Sequence, residues 1–121
     1  MPQRTEEEYQ DTSVTGVPAE MLDAVRDIAK QQSRKDGRKV YVRDIFTQAI
    51  ETLISDLRHG HEIQWPATRP MTGGKPYHVR LEVSVLESMR QTCEKHNVRK
   101  NVFFLGALDR HLKKEGYTIP L

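Results

Sequence analysis

A chain of 121 residues, 36% hydrophobic and 30% charged, has room for one compact domain and excludes a second large one. Its formal charge of +2 and pI near 8.8 are too mildly basic to name a polyanionic partner by themselves. No apolar run nears the roughly 20 residues that cross a bilayer, the start MPQRTEEEYQ is acidic where a secretory signal is basic and then apolar, and the lone Cys93 has no disulfide partner, so a cytoplasmic protein without membrane contact is expected.

In chain order, residues 1–11 read as a flexible acidic arm, with Glu6, Glu7 and Glu8 outside any apolar period and only Tyr9 as an anchor. Order is expected from Thr12. The run Thr12-Ser-Val-Thr-Gly-Val17 is rich enough in β-branched residues for a strand, and Pro18 stands where a helix opens. Met21, Leu22, Val25, Ile28 and Ala29 then recur at helical spacing. Residues 31–39 lose that period and contain the turn signal Asp36-Gly37, so the first helix is expected to end within them. Ile45, Phe46, Ala49, Ile50, Leu53, Ile54 and Leu57 lay one apolar stripe along a longer helix, and Gly60 is its stop.

Residues 59–75, with two prolines and three glycines, read as a linker in which Trp65 packs back on the helices. The pattern then restarts. Tyr77, Val79 and Leu81 alternate with His78, Arg80 and Glu82, the period of a half-buried strand. Val85, Leu86, Met89, Thr92 and Cys93 form a short helical face, opened either by a Ser84/Glu87 capping box or by Glu82 as cap. After the break at His96-Asn97-Val98, a last helix carries Phe103, Phe104, Ala107, Leu108 and Leu112 and stops at Gly116, leaving 117–121 as a tail.

Residues 12–58 and 76–116 are thus two strand-helix-helix halves of one domain, 12–116. The long helices superpose at an offset of 58 (Phe46 on Phe104, Ala49 on Ala107, Ile50 on Leu108) and the first helices at 64 (Leu22 on Leu86, Val25 on Met89), which leaves six extra residues, expected as loop in the basic stretch, between the helices of the first half. Neither half buries a core alone, and a lone strand leaves its backbone groups unpaired. Pairing the strands antiparallel over four packed helices solves both problems. The expected class is mainly α with a two-stranded antiparallel ribbon, and a ribbon with polar outward side chains has the width to enter the DNA major groove.

Val17-Pro-Ala-Glu-Met-Leu22 and Val79-Arg-Leu-Glu82 resemble the strand-to-helix junctions of the ribbon-helix-helix superfamily of DNA-binding proteins, and Asp44-Ile-Phe-Thr-Gln-Ala-Ile50 is similar to the body of its second helix. The resemblance spans nearly all of 12–116 and is greatest to the tandem, single-chain form among accessory proteins of T-DNA processing. It implies an intramolecular pseudo-dimer, monomeric in solution, in a bacterial cytoplasm, that binds double-stranded DNA and works beside a ParA-like ATPase and a relaxase complex. A transcriptional repressor or plasmid partition protein would have the same fold.

Within that frame Arg80 and His78 are the expected base readers. Counted back from the helix start, Val14 and Thr12 share their parity, with Val14 set against a thymine methyl. Arg99, Lys100 and Asn101 at the start of the last helix, and Arg38, Lys39 and Arg43 in the basic stretch that begins at Arg34 and Lys35, are the expected phosphate contacts. Asp44 suits a helix dipole but repels phosphate, so the second half is expected to bind DNA more strongly. No cofactor, metal or catalysis is expected: His59, His61, His78, His96 and His111 lack ligand spacing, Cys93 reads as a small buried hydrophobe, and Asp23, Asp27 and Asp44 are scattered over helix surfaces. The rival reading is a protein-interaction module, which leaves the basic turns unexplained.

Overall fold

Alternate apolar residues and two long apolar stripes produce the expected order of elements. The computed structural model describes residues 8–66 and 76–118; residues 1–7 of the expected arm, 67–75 of the linker and 119–121 of the tail lie outside them. The chain runs β1 (Tyr9–Val14), α1 (Ala19–Asp36), α2 (Val42–Arg58), β2 (Tyr77–Glu82), α3 (Val83–His96) and α4 (Lys100–Lys114). The structure is mainly helical with one two-stranded antiparallel sheet, in which β1 pairs with β2. Among the described residues no helix is long and apolar enough to cross a membrane.

One core serves both halves. Phe46, Ile50 and Leu53 of α2 and Phe103, Phe104 and Leu108 of α4 are fully covered, together with Met21 and Ile28 of α1 and Leu81 of β2. α2 packs chiefly on α4. Phe46 lies at their centre, edge-on to Phe104 at 6.1 Å between centroids and stacked on Tyr77 of β2 at 5.7 Å, so the rings join helix layer to ribbon.

Two local expectations are corrected and one alternative is decided. The first strand begins at Tyr9, not Thr12, because Tyr9, Gln10 and Asp11 pair with Glu82, Leu81 and Arg80; a partner strand supplies backbone bonds that residue pattern alone does not reveal. The six extra residues of the first half are not all loop, and α1 ends within 31–39 as expected, at the Asp36-Gly37 turn signal. It continues through 31–36 to a left-handed cap at Gly37 (φ 68°), whose N–H donates to Ser33 O. Gln31, Gln32, Arg34 and Lys35 are good helix formers, and the segment is tied down: the Gln32 and Gln48 amides exchange hydrogen bonds of 3.4 and 3.2 Å, and Ser33 Oγ accepts the Val40 N–H at 2.8 Å. Of the six extra residues, four therefore lengthen α1 (18 residues against 14 in α3) and two lengthen the turn after it. Finally, α3 has no capping box. Glu82 takes the cap position without a side-chain bond, and Glu87 accepts from Arg90 and Gln91 instead.

Candidate nucleic-acid interface

In an antiparallel pair, directly opposed residues project to the same face. The inward face comprises Gln10, Thr12 and Val14 opposite Leu81, Val79 and Tyr77; Val14 is 1% exposed, Val79 6% and Leu81 1%. The outward face comprises Tyr9, Asp11 and Ser13 opposite Glu82, Arg80 and His78. Arg80 and His78 are thus outward and exposed as expected. Val14 and Thr12 are not. The cause is an odd insertion: Val14 stands four positions before the α1 cap Pro18, whereas Leu81 stands one before the α3 cap Glu82. Three residues, Thr15, Gly16 and Val17, turn the chain with Gly16 at φ 86°, and with a side-chain period of two they exchange the faces of β1. Tyr9, Asp11 and Ser13 replace Val14 and Thr12 as the outward residues of the first half. Their signal was the strand's true start, hidden in what reads as an acidic arm.

Helix N-termini flank both ends of this ribbon. At the Val14 end stands α4, whose first helical bond runs from Phe103 N–H to Arg99 O at 2.9 Å, so the N–H groups of Lys100, Asn101 and Val102 precede the helical ladder. Arg99 and Lys100 are exposed there, and the first turn holds no acid. Asn101 is otherwise engaged: Thr15 N–H donates to its Oδ1 at 3.2 Å and its Nδ2 donates to Thr15 Oγ1 at 2.7 Å. Asn101 therefore holds α4 against the end of β1.

At the Tyr9 end stands α2. The Arg43 guanidinium lies over two rings, Tyr9 at 5.3 Å and Tyr41 at 4.8 Å, and Lys39 Nζ lies over Tyr41 at 5.6 Å. The rings orient both cations without neutralising them. Asp44 accepts the Tyr41 N–H at 2.8 Å, occupying one donor of this helix end and placing an acid that α4 lacks. Arg38 is exposed in the preceding turn.

On the helices Arg26 pairs with Asp23, Arg90 with Glu87 and Glu94, Arg110 with Asp56, and Lys113 with Asp109. Among the described residues Arg38, Lys39, Arg43, Arg99 and Lys100 form no ion pair. Lys30, Arg34, Lys35, Arg58 and Lys95 on the helices form none either, so the cations at the two helix starts are set apart by their place at the ends of the ribbon and not by pairing alone. The ribbon face between them is mixed, with Arg80 set against Asp11 and with Glu82 at one corner.

Among the described residues no three of His, Cys, Asp and Glu gather to hold a metal ion. His59 Nδ1 is 2.7 Å from Ser55 O, on its own helix end. Cys93 is half-buried against the core, and burial pushes its thiol above the usual range, which makes it a poor nucleophile. Trp65 lies over α4, 6.0 Å from the Phe103 ring and against Gly106, as an anchor of the linker would. The chain matches no family model, no curated protein and no solved structure at a significant level.

Proposed function

We propose that the chain is a ribbon-helix-helix pseudo-dimer that binds double-stranded DNA, with the ribbon in the major groove and the starts of α2 and α4 on the flanking phosphates. The observation that carries this reading is the placement of unpaired cations at helix starts on opposite ends of a ribbon whose outward face is polar. Phosphate contacts of this kind position a protein, and groove-facing side chains read bases. A contact between equivalent residues of the two halves supports this reading. Phe46 and Phe104, equivalent at the offset of 58, touch one another, as equivalent residues do only near a two-fold axis. Both long helices also close with the same kind of turn, His61 N–H to Asp56 O and Tyr117 N–H to Leu112 O, each beyond a glycine of positive φ, Gly60 and Gly116, two residues away from the offset of 58.

A single chain that supplies both halves of the reader recognises an asymmetric site. That suits an accessory factor in T-DNA or plasmid DNA processing and transfer, working beside a ParA-like ATPase and a relaxase complex as the family resemblance implies. The test is fluorescence anisotropy with duplex DNA over a salt series. Affinity should fall linearly in log–log form, with a slope near 0.9 per phosphate neutralised. No duplex binding at low salt would favour a protein-interaction module instead.

A further inference from the structure

The strand register places one acid and one base in direct opposition on the outward face, Asp11 of β1 and Arg80 of β2. Both are exposed. We infer that these two residues together read one C·G base pair, Asp11 accepting from the cytosine amino group while Arg80 donates to the guanine of the same pair; the inference rests on the DNA-binding reading above.

An acid on a DNA-facing surface is unfavourable beside phosphates, yet Asp11 stands on the ribbon, away from the helix starts that carry the phosphate-directed cations. In the major groove the cytosine N4 amino group is a donor that a carboxylate accepts, and guanine O6 and N7 are acceptors that a guanidinium spans. The two halves of a C·G pair thus present the complement of an Asp opposite an Arg. Opposed Cα atoms of an antiparallel pair lie about 4.5–5.5 Å apart, so one residue from each strand reaches the two bases of a single pair. Arg80 also offsets the charge that Asp11 brings to the groove. The neighbouring opposed pair, Ser13 and His78, holds no carboxylate opposite a guanidinium, and a hydroxyl both donates and accepts.

The experiment is selection from a duplex pool with a randomised centre, at fixed salt, with the unsubstituted chain and with Asp11→Ala and Asp11→Asn. Both substitutions are at an exposed position, and unchanged thermal midpoints establish that the variants fold. The unsubstituted chain should enrich one fixed C·G pair. Asp11→Ala should lose the cytosine preference at that position, with discrimination falling about tenfold, while the salt slope stays the same. Unchanged base preference in Asp11→Ala, or tighter binding to every sequence alike, would overturn the inference and leave Asp11 as a counter-charge to Arg80. Binding of the unsubstituted chain without any sequence preference would overturn it too, leaving the DNA-binding reading intact. Absence of binding to the whole pool would remove both.

Discussion

The carboxamide of Asn101 grips Thr15 on two atoms, accepting its N–H at 3.2 Å and donating to its hydroxyl at 2.7 Å, and so joins residues 86 positions apart. Sequence alone places Asn101 on a phosphate beside Arg99 and Lys100; the bonds to Thr15 make it the strut that aims them. Asn101→Ala should lower unfolding stability by about 1 kcal/mol, the net worth of such bonds. It should also weaken DNA binding with no change in salt slope, because no cation is removed. Weaker DNA binding with unchanged unfolding stability would return Asn101 to the phosphate contacts.

Trp65 lies so close to α4 that a Cβ at Gly106 would stand 3.1 and 3.2 Å from its ring. Ala in place of Gly ordinarily favours a helix by about 1 kcal/mol. Here the added methyl must push the indole away, so Gly106→Ala should stabilise less than that figure or destabilise. Trp65 is the single tryptophan, which makes the readout direct: its emission should shift to the red and become more quenchable. An unshifted spectrum with a full helix-propensity gain would mean that the indole is not held against α4 in solution.

Two groups should make stability fall in separate acid steps. Burial holds His111 below the usual imidazole range; Glu115 opposes that effect and Lys114 adds to it, and Nε2 has no hydrogen-bond partner among the described residues. With its folded value depressed, the unfolded chain takes up the proton first, so stability is lost as pH falls below about 6.5. Asp56 is also depressed, first by its hydrogen bond from Arg110, which overcomes the effect of burial, with the charges of Arg110, Lys114 and His61 adding to it. Its contribution is present above about pH 4 and lost below. Urea midpoints against pH should show both steps. His111→Gln should abolish the upper and Asp56→Asn the lower; a single step surviving both substitutions would assign the acid sensitivity elsewhere.

Much of this fold was legible because its core repeats two periods. Phe46, Ala49, Ile50, Phe104, Ala107 and Leu108 could be placed from spacing alone, since a stripe at 3.6 residues has one way to face a core. The face of β1 was not legible. A period-two pattern tells which residues alternate, but β1 has one buried apolar residue, Val14, and its parity depends on the Thr15-Gly16-Val17 turn. The end of α1 was legible only through its Asp36-Gly37 turn signal, and the helical state of 31–36 was not: after Ala29 the helix leaves the core, and its last turns are held by Gln32, Ser33 and Gly37 through hydrogen bonds that no hydrophobic period encodes. The candidate interface divides along the same line, with Arg80 and His78 placed outward from the regular strand and Asp11 and Ser13 seen only through the register.

The cations at the helix starts and the ribbon should separate in salt and sequence dependence. Arg80→Ala should cost about 1–3 kcal/mol on a specific site and far less on random duplex. Arg99→Ala and Lys100→Ala should weaken all duplexes alike and reduce the salt slope by about 0.9 for each phosphate no longer neutralised. Arg43 should behave as they do, and Tyr41→Ala should weaken it without removing a charge, because the ring that orients the guanidinium at 4.8 Å is gone. Equal losses for Arg80→Ala on specific and random DNA would make Arg80 a phosphate contact.

The last expectation concerns the number of chains. β2 pairs with β1 of the same chain along all six residues of each strand, and Phe46 closes on Phe104 within one core. The two-stranded ribbon is therefore formed within one chain, without a second copy. At micromolar concentration without DNA, sedimentation should give the mass of one chain, 14.0 kDa. NMR contacts between Thr12 and Val79 should persist, undiluted, when labelled and unlabelled chains are mixed. Because the outward faces differ, Tyr9, Asp11 and Ser13 against His78, Arg80 and Glu82, footprints on the bound site should be unequal on its two sides. A stable dimer in which the Val79 strand pairs with its own copy would replace the single-chain ribbon by an exchanged one. The asymmetric footprint would then give way to a palindromic one, so mass and footprint test the same arrangement by independent means.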